Sequence, residues 1–273
     1  MTKILKGLGI FFLILIVFGM IFGKKDGSTQ ASNESANGNS KSAKYVLNEK
    51  EQKLLNAFLQ EDVDIFLKGG DSLLSRGLIV TTSFEAAKAY DENQVGADQK
   101  YYKKEVLVSG KITGINSGIG NEPYITLNGT NQFLSPQIHF DNPNIDKLAN
   151  LTKGKKIRFV CIGNGAIVGT PIFKDCQLAE DYIATKVEEI KPQLQNFLNG
   201  EKPNNDLASK LILLSITASR LLPDNSECYS GGKNCMKDID KVTNKNKKEW
   251  LKEELKKTNA EMQQLGLKVP DSI

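Results

Sequence analysis

Residues 104–115 read KEVLVSGKITGI, and the order of side chains in that run decides the fold. Val106, Val108 and Ile112 alternate with Leu107, Ser109 and Lys111, the two-residue period of a strand. Gly110 inside the run predicts a bulge or sharp coil, as a strand in a small barrel requires. Downstream, PYITLNG (123–129) and PQIHF (136–140) read as two more strands around a turn. NPNIDKLANL (142–151) reads as a short helix. KKIRFVCIG (155–163) and, after a Gly-rich turn, PIFKDCQLA (171–179) complete the set.

Five strands with one helix between the third and the fourth is the order of an OB-fold barrel. The same residues carry a resemblance. FEAAKAYDENQVGADQKYYKKEVLVSGKI (84–112), then PYITLNG, PQIHF, LANLTKGKKIRFVCIG (148–163) and KDC (174–176) resemble the tRNA_anti-like family over residues 83–178. The most specific part is the spacing of Tyr90, Asn93, Ala97 and Tyr101 running into the Val-x-Gly strand. The resemblance implies a small bacterial OB-fold domain of the kind found in exported or membrane-anchored proteins. The family name records a distant similarity to nucleic-acid-binding OB domains, so it implies a fold more firmly than a ligand. It brings no catalytic residue with it.

Outward from the barrel the chain divides by composition. Residues 7–23, GLGIFFLILIVFGMIFG, carry no charge and lie between Lys3, Lys6 and Lys24, Lys25. Seventeen residues at 1.5 Å each span roughly 25 Å, the lower limit for a membrane-spanning helix. A cleaved signal peptide is the competing reading, but the nearest small-x-small site, Thr29-Gln30-Ala31, lies far beyond the run. Residues 24–44 hold no large apolar side chain and read as a flexible tether. Asn48 followed by Glu51 predicts a helix start, and Gly69-Gly70 its stop. Thr82 with Glu85 predicts a second, with the signature of a capping box. Beyond residue 180 the periodicity is helical. Leu251, Leu255, Thr258, Met262 and Leu265 form the apolar seam of a charged last helix, with Trp250 beside it.

The expected architecture is therefore α+β: a five-stranded OB-fold β-barrel flanked by N-terminal helices and a helical C-terminal region, behind one N-terminal transmembrane helix. The expected divisions are an anchor at 1–23, a polar linker at 24–44, a helical segment at 45–80, the OB-fold domain at 81–179 and the helical region at 180–273. Four cysteines fall in two local pairs, Cys161 with Cys176 and Cys228 with Cys235. An even count behind an export segment favours disulfides in an oxidising compartment over ordinary reduced thiols. That places the body on the outer side of the cytoplasmic (inner) membrane, held by a single pass.

The chemistry the residues permit is narrow. The chain has one histidine, which excludes a zinc helix with two imidazoles. His139 stands in Q-I-H-F on the opposite strand face from Ile138 and Phe140, and no nucleophile motif accompanies it. The reading is a non-enzymatic protein with no cofactor and no metal. An OB-fold takes its ligand on strands two and three, so Tyr124, Thr126, Phe133 and His139 are the expected ligand face. Residues 112–146 contain no Lys or Arg, and only three of the 36 basic residues are arginine. Without cations the phosphate term that dominates nucleic-acid affinity is missing, so nucleic acid is disfavoured. The expected partners are the membrane, through the N-terminal helix, and a protein, peptide or glycan, with nucleic-acid binding the alternative.

Overall fold

The structure, a computed structural model, describes residues 44–141, 143–230, 235–243 and 248–270. The expected anchor and residues 24–43 of the expected linker lie outside the described residues. No helix among the described residues is long and apolar enough to cross a membrane. The chain forms two units. One is Val63–Lys186; the other combines the residues before Val63 with those after Lys186.

The first described helix, α1 (Glu49–Leu67), begins where the sequence places it. The Asn48 side chain accepts from the Glu51 amide at 3.0 Å, and the Glu51 carboxylate accepts from the Asn48 amide at 2.9 Å. Two otherwise orphaned amides are thereby satisfied. At the other end Gly69 takes the left-handed conformation and Gly70 N–H donates back to Ile65, which closes the helix. A strand that the periodicity did not announce follows, β1 (Ile79–Thr82), and runs parallel to the next strand. Thr82 and Glu85 form the capping box that opens α2 (Ser83–Glu92), and Asn93 caps α3 (Gln94–Tyr101).

Five strands then close on themselves. They are β2 (Glu105–Ser117), β3 (Pro123–Leu127), β4 (Gln137–His139), β5 (Lys156–Ile167) and β6 (Thr170–Leu178), with helix α4 (Ile145–Ala149) between β4 and β5. β2 pairs with β3, β3 with β4 and β5 with β6, all antiparallel; β4 lies parallel to β6, and the antiparallel β2–β5 pair shuts the barrel. The expected irregularity in β2 is present, but it falls between Ile112 and Gly114 rather than at Gly110. Gly110 is needed for a different reason. A side chain there would collide with Ser83 at the start of α2, whose hydroxyl donates to the Asn128 carbonyl at 2.6 Å.

The barrel interior is filled by Val106, Val108, Ile112, Ile125, Leu127, Ile138, Phe159 and Phe173. Ala86, Tyr90, Ala97 and Tyr101 of the α2–α3 pair join the same core. Tyr90 and Tyr101 stack with centroids 6.2 Å apart. Their hydroxyls meet Asp98 at 3.0 Å and Thr81 at 3.1 Å, so neither buried phenol is left unpaired. The family-specific tyrosines are therefore structural. On the outer side of β2 and β5, Leu107 and Val160 are covered by Phe66, Ala179, Tyr182 and Ile183. Arg158 of β5 donates to the Lys68 carbonyl at 3.0 Å beyond the end of α1. A cation favours that end of a helix.

The other unit is helical. Helix α5 (Ala179–Leu198) continues through Pro192 as one element. Asn205 caps the apolar α6 (Asp206–Leu221), whose Leu211, Ile212, Leu213 and Ile216 are buried. Helices α7 (Cys235–Thr243) and α8 (Lys248–Gln264) follow. Of the seam predicted on α8, Leu251, Leu255, Thr258 and Met262 are buried, whereas Leu265 is exposed just past the helix end. Arg220 of α6 bridges Glu254 and Glu261 of α8. Both cysteine pairs are disulfides, Cys161–Cys176 across β5 and β6 and Cys228–Cys235 at the start of α7.

Candidate ligand face

The outer side of β3 and β4 follows from strand alternation. Ile125, Leu127 and Ile138 point into the barrel, so Tyr124, Thr126, Gln137 and His139 point out. Tyr124 stands directly opposite His139, and Thr126 opposite Gln137. All four are half-buried. The Tyr124 and His139 rings are nearly parallel, 9° apart in plane, with centroids at 5.3 Å. His139 Nε2 lies 3.1 Å from Gln137 Oε1, a geometry that requires the Nε2–H tautomer to donate. Burial pushes the His139 pKa below its ordinary value, opposed by the negative charge of Glu122. Burial thus favours the neutral imidazole, which stacks against the phenol as a pair.

The cross-strand neighbours of this pair are polar and uncharged, and Glu122, just ahead of β3, is the carboxylate that acts on His139. Asn116 of β2 is the cross-strand partner of Tyr124, and the Thr113 and Thr126 hydroxyls are 3.0 Å apart. From Pro123 through Phe140 the chain carries no Asp, Glu, Lys or Arg. The face therefore offers two stacked rings edged by hydroxyl and amide groups. Such a surface suits ligands with flat apolar faces and peripheral hydrogen-bonding groups.

Three of the four expected ligand residues, Tyr124, Thr126 and His139, lie together on this face. Phe133 lies in the β3–β4 loop, where its carbonyl accepts from Thr170 at the start of β6. Gln137 and Asn116 belong to the face and were not singled out from the sequence. Their signal was the alternation itself, which places Gln137 two residues from His139 on the same side. All four cysteines are held in disulfides.

Comparison with known families settles the lineage. The tRNA_anti-like family model matches residues 1–177, about two thirds of the chain. The protein belongs to the tRNA_anti-like family. The match starts well ahead of residue 83, where the sequence motifs begin, so α1 and β1 are part of the family's extent. No curated protein matches the chain. Among solved structures, a crystal structure from Klebsiella pneumoniae described as a "putative nucleic acid-binding lipoprotein" is similar at 19% identity. The likeness covers 36% of this chain and 91% of that one, with a TM-score of 0.31.

Proposed function

We propose that this tRNA_anti-like protein is a non-catalytic binding module of the cell envelope. Residues 7–23 anchor it in the cytoplasmic membrane, its body lies on the oxidising side, and the β3–β4 face takes an uncharged partner, for which a glycan is the best fit. The Tyr124–His139 stack carries this reading. A pyranose ring presents a flat C–H face to an aromatic platform and hydroxyls to the side, where Asn116, Thr126 and Gln137 stand. The two disulfides support an oxidising compartment. His139 spends its Nε2 on Gln137 and its ring face on Tyr124, an arrangement that favours a contact surface over a general base.

The test is binding of the detergent-solubilised full chain to an array of neutral oligosaccharides and peptides. We expect retention of a neutral ligand, weakened about tenfold by Tyr124→Ala, the typical worth of one stacking ring. Robust turnover of a substrate with no retained ligand would overturn the proposal.

Nucleic-acid binding is the second reading, favoured by the family membership and by the position of the ring pair on the face through which OB-folds take bases. Against it, residues 112–146 carry no Lys or Arg to track a phosphate backbone. Retention of single-stranded RNA or DNA at low ionic strength, lost steeply with added salt, would select it.

A further inference from the structure

The β5–β6 hairpin turns through two residues, because Ile167 pairs with Thr170. Both central positions, Val168 and Gly169, have positive φ, at 48° and 77°. Turns of this kind favour Asn-Gly, since a β-branched residue is strained in left-handed backbone. Val168 is nevertheless 94% exposed, and Ile167 beside it 67%. Fold stability therefore gains nothing from valine here, by strain or by burial.

A second loop, the uncharged β3–β4 connection that holds Phe133 beside Asn131 and Gln132, lies against this turn. Phe133, 78% exposed, accepts from Thr170 through its carbonyl, and Gly169 lies against the Leu134 side chain. Two segments more than thirty residues apart in sequence thus build one tip bearing Phe133, Ile167 and Val168. Neither segment carries a charge: none occurs between Glu122 and Asp141 apart from His139, and none between Arg158 and Lys174. In a chain that is 25% charged, such a gap around exposed apolar side chains is what entry into lipid demands, because a single charge there is costly.

We infer that this tip inserts shallowly into the lipid bilayer and seats the barrel on the membrane surface. The inference rests on the anchor reading above. On that reading the folded body and the membrane are joined within one chain, with 20 residues, 24–43, between the apolar run and the first described residue, Lys44. The tip would then meet the bilayer as an intramolecular event, so that three side chains suffice where free protein would not bind. Hydrophobic insertion without nearby charge predicts contact with zwitterionic lipid that is insensitive to salt.

The experiment uses the full chain in phosphatidylcholine vesicles, with Trp250→Phe and Phe133→Trp to leave one fluorescent reporter. Emission from position 133 should fall about twofold when the acyl chains are brominated, as expected for a ring at the headgroup–acyl boundary. Adding Val168→Asn should restore most of that emission while the melting temperature stays level or rises, because asparagine suits the turn better. Full chain that sediments with vesicles but keeps an unquenched reporter overturns the tip and leaves the anchor standing. Full chain that does not sediment with vesicles overturns both.

Discussion

His139 owes its behaviour to where one strand position faces. Burial disfavours the imidazolium, so the folded-state pKa lies below the ordinary value near 6.5. The unfolded chain then binds the proton more readily than the folded one. The contribution of this group to stability is complete above the unfolded pKa, and is lost as pH falls toward the folded pKa. NMR titration of the His139 ring protons should give a midpoint below 6.5; a midpoint at or above that value contradicts the packing described. Gly163 makes a different point at the same scale. A side chain there would collide with the Tyr101 carbonyl, where Lys103 donates to Gly163 and Gly163 to Lys104. Gly163→Ala should destabilise the fold by about 1–3 kcal/mol, the usual cost of forcing an overpacked contact, read as a lower midpoint in urea.

Among the elements, the strand periods and helix caps were legible because their causes are local. Asn48 with Glu51 and Thr82 with Glu85 each satisfy amides within one turn, and both helices start there. All five barrel strands formed for the same reason. Strand β1 was not legible: it is four residues long, holds two threonines, and exists because β2 offers a parallel edge. Helix α3 was missed because it is only eight residues long, holds Gly96 and the polar run Asp98-Gln99-Lys100, and buries just Ala97 and Tyr101. The seam on α8 was right until Leu265, which lies beyond the last turn and so no longer faces inward. The Cys161–Cys176 bridge was read from local spacing, and it closes a 15-residue separation between β5 and β6. Replacing both cysteines by alanine should cost about 3 kcal/mol on the loop-entropy estimate. Unchanged stability of that double variant in chemical denaturation would show that the bridge constrains nothing in the unfolded chain.

For the whole molecule, the sequence carried the barrel further than it carried the organisation around it. Strand order gave the closure of β2 on β5, but nothing local reveals that residues before Val63 and after Lys186 belong to one unit, since that pairing spans more than a hundred residues. Of the residues expected at a ligand face, strand alternation decides only which way each one points. Alternation puts Tyr124, Thr126 and His139 outward, whereas Phe133 stands in the β3–β4 loop, where its carbonyl accepts from Thr170. The lack of Lys and Arg over residues 112–146, which speaks against nucleic acid, also leaves the ring stack of the paired β3 and β4 set among hydroxyls and amides.

The central claim is that this face takes an uncharged partner. It is tested most directly by NMR of isotope-labelled full chain in detergent micelles, titrated separately with a neutral N-acetylhexosamine oligosaccharide and with a single-stranded oligonucleotide. The account predicts that the oligosaccharide shifts Tyr124, Thr126 and His139 together, with little dependence on salt. Shifts of those three residues with the oligonucleotide alone, fading as salt is raised, would contradict it.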